Sequence, residues 1–279
     1  MLAENLNNIV TTLVPVLKQF CKGECTIAVG GSHAQQQADS FSDINIYIFT
    51  DEVIKNDARS ELLSGQIDGV ETVISWGDES ELSQAGTDFI YNGTQIECWI
   101  RSTKCIEDSI KACCEGKVDK DVISWSTKGY YSYGILSDLP MLIPVYDPQN
   151  ILAHWKADTR NYPDALRENI TTQYLSLAES CADNSQYIAA IERSDVMYAI
   201  GVVNQAVHSL IQVIFAKNRC YFPGDKRILS NLNRLSCKPE AFEDRVRSLI
   251  WPNVDLSQNA LEQQRKELLR LVKETKALS

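Results

Sequence analysis

The sequence has little that would let it grip nucleic acid, span a bilayer or rely on disulfides. Its 279 residues hold 27 lysines and arginines against 37 aspartates and glutamates, a formal net charge of −10. A nucleic-acid binder presents a basic patch to phosphates. No such patch of any size is present, which argues against polymerisation on a nucleic acid and against transfer to RNA ends. No apolar run approaches the roughly 20 residues that cross a membrane. The N-terminus carries acids and asparagines where a secretory signal would carry basic residues, so a cytoplasmic chain without membrane contact is expected. Nine cysteines are present, but none is spaced CxxC, and Cys113-Cys114 is an adjacent pair. Reduced, mostly buried thiols are expected, not a disulfide frame or a zinc site. His33, His154 and His208 are dispersed, match no ligand spacing and read as structural. There is no internal repeat and no low-complexity segment.

What is present centres on Ala28–Phe49, AVGGSHAQQQADSFSDINIYIF. It reads as an apolar strand, a Gly30-Gly31-Ser32 turn, a polar connector, and Ser42-Asp43-Ile44-Asn45 opening a second strand. Strand alternation puts Asp43, Asn45, Tyr47 and Phe49 on one face and Ile44, Ile46 and Ile48 on the other. Adjacent glycines let the backbone approach a ligand, and exposed N–H groups there can cradle phosphate oxygens. Downstream, Thr87–Tyr91, the Asn92-Gly93 turn and Thr94–Ser102 read as a hairpin. Its return strand sets Glu97 on a polar face beside apolar Ile96, Cys98 and Ile100.

Gly30-Gly31-Ser32 followed by Ser42-Asp43-Ile44-Asn45-Ile46 resembles the signature of the DNA polymerase β-like nucleotidyltransferase superfamily, nearest in flavour to the bacterial antibiotic nucleotidyltransferases of the aminoglycoside and lincosamide type. The resemblance covers about residues 27–101, and residues 161–227 more loosely. It implies an α+β fold: an N-terminal mixed sheet flanked by helices over residues 1–155, then an antiparallel helical bundle over 156–279. It also implies two magnesium ions on Asp43, position 45 and Glu97, with ATP or another nucleoside triphosphate gripped by Gly30, Gly31 and Ser32. From the helical part it assigns Lys226, with Tyr221, to the triphosphate, and Glu192 or Asp195 as base for the acceptor hydroxyl. The implied reaction moves a nucleoside monophosphate, most simply AMP, onto a hydroxyl of a small molecule, cationic or not. The oligomeric state is left open.

The departure from the signature is Asn45, where the family has its second acid. Asn45 keeps an oxygen donor and loses the charge. Three accounts stand side by side: a nucleotide-binding or regulatory member with reduced or lost activity, an active member recruiting Asp39 or Glu97, or an introduced Asp-to-Asn change. The charge is uneven as well, with 22 acids against 10 bases in residues 1–150 and 15 against 17 in 151–279. An acidic first half suits divalent ions and a cationic substrate; simple solubility is the other reading.

Periodicity fills in the remainder. Leu2, Leu6, Ile9, Val10, Leu13, Val16, Leu17 and Phe20 form one helical stripe with Pro15 expected to kink it. Helices are expected over 51–63, 103–115, 119–136, 151–156, 164–181, 185–217, 238–250 and 256–277, and strands over 25–29, 70–76 and 141–146.

Overall fold

A computed structural model of the chain describes residues 3–34, 38–39, 42–77, 85–123, 126–250 and 257–278. Leu2, Trp125, Leu256 and most of the connector after His33 lie outside these residues. The chain divides into two compact units: Met1–Lys111 with Asp119–Trp125 and Gly129–Arg160, and Ala112–Val118 with Ser126–Lys128 and Asn161–Ser279.

In the first unit, α1 (Glu4–Leu17) passes through Pro15 and tightens into a 3-10 turn at Lys18–Phe20. Then come β1 (Thr26–Gly30), the single turn α2 (Gly31–Ala34), β2 (Ile44–Phe49), α3 (Asn56–Gln66), β3 (Val70–Gly77), β4 (Ala85–Tyr91) and β5 (Thr94–Arg101). They are followed by α4 (Thr103–Cys114), β6 (Lys120–Asp121), β7 (Tyr130–Tyr131), α5 (Gly134–Asp138), β8 (Ile143–Tyr146) and α6 (Ile151–Asp158). Six strands form one mixed sheet in the order β3-β4-β5-β2-β1-β8. Only β2 and β5 are parallel neighbours. The others pair antiparallel.

One face of the sheet is the core. Ile27, Val29, Ile44, Ile46, Ile48, Ile96, Cys98 and Ile100 are buried there against Leu13, Leu17 and Phe20 of the N-terminal helical segment and Leu63 of α3. The β-branched isoleucines and valine suit a pleated, covered surface, and the period of two leaves the other face mainly to polar and aromatic residues. Asn92 and Gly93 both take positive φ, 47° and 78°, which is what a two-residue hairpin turn needs.

Four expected helices come out differently, each for a local reason. Over 51–63, helix begins only at Asn56. Asp51 instead accepts hydrogen bonds from Ser102 Oγ (2.7 Å) and the Lys104 amide (2.9 Å), and Val53 bridges Cys21. Among the described residues of 119–136, only those of α5 are helical. Gly129 at φ +92° turns the chain, β6 pairs with β7, and Lys120 Nζ stands 5.8 Å over the Tyr131 ring. The long helix over 185–217 is two, α8 (Ser185–Glu192) and α9 (Val196–Lys217). Ser194 at φ +56° breaks the run, and Asp195 caps the new start by accepting from the Tyr198 amide at 3.3 Å. Over 238–250, helix starts at Phe242, because Lys238 turns to the Leu232 carbonyl (2.8 Å) and Glu243.

In the second unit, α7 (Asp164–Ala182), α8 and α9 are followed by α10 (Ile228–Leu232), α11 (Phe242–Ile250) and α12 (Gln258–Ala277). Every residue of α9 from Ala206 to Ala216 is buried, so this helix is apolar all round because it is the bundle's core. It is long and apolar enough to cross a membrane, and 72% of its most apolar stretch is buried inside the fold. Arg245 of α11 bonds Glu267 and Glu274 of α12 and ties those two helices together. His208 sits in this core, edge-on to Phe222 at 5.7 Å. All nine cysteines are free thiols; Cys25, Cys98 and Cys113 are buried, Cys114 is exposed and the rest are half-buried. Mostly buried thiols were expected, and the difference follows from how many cysteines fall in loops and helix edges.

Candidate functional site

The polar face of the sheet carries one row of residues that the strand register lines up. Gly30 pairs with Asn45, Asn45 with Glu97, and Glu97 with Asp88. Paired residues on neighbouring strands point to the same side, so the glycine turn, the amide and two carboxylates form a rail from β1 to β4. Asp43 stands just before β2, and its Oδ1 accepts from Asn45 Nδ2 at 3.2 Å. Asp43, Asn45, Glu97 and Asp88 are all half-buried.

The glycines fit this rail closely. A Cβ on Gly31, whose φ is +63°, would lie 2.7 Å from Asn45 Nδ2. One on Gly30 would lie 2.5 Å from the Tyr47 ring and 2.9 Å from Leu142. The turn is thus seated directly on the side chain of position 45, with half-buried Ser32 next along. Gly31→Ala is expected to cost about 1–2 kcal/mol for the left-handed backbone alone and to push Asn45 aside. A thermal melt beside the wild-type protein measures the loss.

Next along the same face is a second row, Ala28, Tyr47, Trp99, Gly86 and Trp76. Trp76 and Trp99 meet edge to face at 5.4 Å, and Trp76 Nε1 donates to Asp88 Oδ2 at 3.2 Å. Burial raises the Asp88 carboxyl, partly offset by that indole hydrogen bond. Tyr47 donates its hydroxyl to Asp138 Oδ2 at 3.0 Å. Arg101 lies over the rings of Trp99 (4.9 Å) and Tyr130 (5.6 Å). Burial pushes the Asp138 carboxyl up to about 6, against the pull of the Tyr47 hydroxyl and the Arg101 charge.

Asp138 therefore makes stability depend on pH. The folded state holds its proton between the ordinary aspartate value and about 6, where the unfolded chain has released it. Stability from this group thus falls as pH rises through that window and is flat above it. Asp138→Asn keeps an acceptor for Tyr47 and removes the dependence. Urea denaturation should find it stabilised by at most about 3 kcal/mol at pH 7.5, less what Arg101 loses, and nearly unchanged at about pH 3, below the ordinary aspartate value.

The remaining expected site residues lie in the helical unit. Tyr221 packs its ring on Tyr162 at 4.8 Å, and burial raises its hydroxyl well above the usual tyrosine range. Lys226 is exposed in the turn before α10, beside Asp225, whose Oδ2 accepts from Ser126, Thr127 and the Lys128 amide at 2.9–3.1 Å. Glu192 and Asp195 are exposed and do not share a helical face, since Glu192 ends α8 and Asp195 caps α9. Asp39, the alternative acid, accepts from the Ser42 hydroxyl at 2.9 Å and shapes the entry to β2.

Asp88, Tyr47, Asp138 and Arg101 were not singled out in the sequence. For Asp88 the signal was available: a two-residue turn at Asn92-Gly93 pairs residue 88 with residue 97 by register alone.

The donor chemistry admits a divalent cation. Asp43 and Glu97 are hard oxygen ligands and Asn45 a neutral one, and magnesium takes few protein carboxylates when phosphates complete its shell. Among the described residues no three His, Cys, Asp or Glu side chains gather into a metal-holding group. The set therefore fits one ion brought in on a polyphosphate.

The fold and rail define a mixed α+β sheet domain with a glycine turn beside paired acids. Residues 144–227, from β8 through α9 to the Lys226 turn, match a family model described as a domain of unknown function (DUF4037). None of the curated proteins matches the chain. Among solved structures, one similar chain is a nucleotidyltransferase-like protein from Exiguobacterium sibiricum 255-15. It is 9% identical, with 96% of this chain and 74% of that chain covered and a TM-score of 0.48. At that identity the likeness says nothing of activity.

Proposed function

We propose that the α/β unit is a nucleotidyltransferase-type domain that binds a nucleoside triphosphate on the Gly30-Gly31-Ser32 turn and moves its nucleoside monophosphate, AMP in the simplest case, onto a hydroxyl of a small molecule. The observation that supports this reading is the shared row of Gly30, Asn45 and Glu97 with Gly31 seated on Asn45. Nucleotidyl transfer needs a phosphate grip and acids within one small space, and this row supplies both. Asp43 and Glu97 would hold a magnesium ion, which when bound neutralises charge on the departing pyrophosphate. The glycine turn orients the β- and γ-phosphates, and the rail fixes the α-phosphorus for in-line attack. Lys226 with Tyr221 as triphosphate ligands, and Glu192 or Asp195 as the base, belong to the same reading through the resemblance.

Titration calorimetry with ATP and magnesium tests the binding step, and pyrophosphate release against a panel of hydroxylated amines tests transfer. Submillimolar binding that disappears in Asp43→Ala is expected. No binding at millimolar ATP would remove the proposal.

A second reading, a catalytically silent nucleotide-binding or regulatory domain, is favoured by one contact. The Asn45 amide donates to Asp43, doing part of what a cation would do there and leaving the pair satisfied without one.

A further inference from the structure

The glycine turn is held from beneath by residues that make no use of the rail. A Cβ on Gly30 would stand 2.5 Å from Cε2 of Tyr47 and 2.9 Å from Cδ2 of Leu142, so these two side chains fill the space that a side chain at position 30 would need. Tyr47 has 8% of its surface exposed. Its ring stacks on Phe49 at 6.3 Å, and Phe49 meets Trp155 of α6 edge-on at 5.1 Å. Packing fixes where the ring lies, and the hydroxyl, donating to Asp138 Oδ2 at 3.0 Å, fixes its tilt. Asp138 ends α5, and Leu142 follows the 3-10 turn Leu139–Met141. The Leu142 carbonyl in turn accepts from Lys156 Nζ of α6 at 2.6 Å. One short segment, 138–142, thus supplies both the anchor for Tyr47 and the second contact under Gly30.

We propose that Asp138 and Tyr47 are positioning residues for the nucleotide: their hydrogen bond sets the ring on which Gly30 is seated, and through it the direction of the turn's N–H groups toward a triphosphate. This rests on the reading of Gly30-Gly31-Ser32 as the phosphate grip. The pair acts through Gly30 and not by contact with the nucleotide. Donors already aimed at a ligand reduce what binding must spend on ordering them, so a loosened ring weakens binding although no ligand contact is removed. The groups that face Asp138 are the Tyr47 hydroxyl from β2, the Arg101 guanidinium from β5 and the Tyr130 ring hydroxyl from β7. Burial holds the Asp138 carboxyl up at about 6, and the Tyr47 hydrogen bond favours its ionised form. A hydrogen bond to a carboxylate is stronger than one to a neutral acceptor, so the ring is held harder as pH rises through that value.

Tyr47→Phe keeps the ring and removes only the hydroxyl, which makes it the central test. Titration calorimetry of the full-length chain with ATP and magnesium at pH 7.5 should find its affinity lower by up to about tenfold. Asp138→Ala should lose about as much, and the double variant no more than either single one. Asp138→Asn keeps a neutral acceptor. It should match wild type near pH 5 and fall about threefold behind at pH 7.5; comparison at each pH cancels the titration of ATP itself. Thermal melts of each variant separate folding from binding. A readout without nucleotide comes from glycine labelled with nitrogen-15: the Gly30 and Gly31 amide signals should shift in Tyr47→Phe, with those of Gly65 and Gly201 unmoved. Wild type and Tyr47→Phe binding ATP equally would overturn the proposal and leave the nucleotide reading intact. So would losses that add in the double variant, or Gly30 and Gly31 signals that stay in place. Wild-type protein that binds no ATP would instead remove the nucleotide reading, and this proposal with it.

Discussion

Asn45→Asp is expected to raise the proposed nucleotidyl transfer by at least about a hundredfold, because it places a carboxylate in the middle of the rail. Each ~1.4 kcal/mol of transition-state stabilisation is worth a factor of ten, and a carboxylate touching a bound cation contributes several such increments. The change is nearly isosteric, so Gly31, which would clash with any outward growth at its own Cβ, need not move. It does alter the electrostatics. The donor bond from Asn45 to Asp43 becomes two carboxylates side by side, which cannot both ionise cheaply without a cation. The variant should therefore melt lower than wild type in EDTA and regain stability with magnesium, whereas wild type should respond little. Pyrophosphate release and thermal shift, each with and without magnesium, measure both parts. A variant that binds ATP and magnesium yet turns nothing over would favour the silent reading.

The second large effect concerns Arg59, which has 1% of its surface exposed. Its guanidinium donates to the carbonyls of Trp76 (2.6 Å), Ile54 (3.3 Å) and Gly86 (3.3 Å) and to Asn56 Oδ1 (2.7 Å). One side chain of α3 thus ties down the neighbouring strands β3 and β4. Arg59→Ala leaves those carbonyls buried without donors, at about 1–3 kcal/mol each before water enters. A net loss of about 3–5 kcal/mol is expected. Hydrogen exchange should show it first over residues 70–77 and 85–91, since β3 has a partner on one side only. If protection there is unchanged, Arg59 is not what fastens this edge.

How legible these features were in the sequence depended on how local their causes are. The glycine turn, the alternation of β2 and the hairpin were readable because each is set by neighbours within a few residues. The pairing of Asn45 with Glu97 was foreshadowed by polar-face alternation in both strands, and the register brings them together. Arg59 and Asp138 were invisible, because nothing near an arginine on a helix or an aspartate in a short turn says that distant carbonyls or a tyrosine will enclose it. The helix break at Ser194 was missed for the opposite reason. The apolar rhythm on both sides is continuous, and only Asp195 as a cap signals a new start. Tyr130 and Tyr131 were read as helix because their partners, Arg101 and Lys120, lie outside any local window.

The position of β8 has a consequence for biosynthesis. β1 lies between β2 and β8, so a nascent chain that has already made the glycine turn still carries β1 with one open margin until residues 143–146 emerge from the ribosome. Until then its backbone donors and acceptors are exposed to any passing extended chain, and the long sequence separation slows its capture. Pausing or truncating translation before Ile143 should release a species that chaperones retain and that aggregates through that strand.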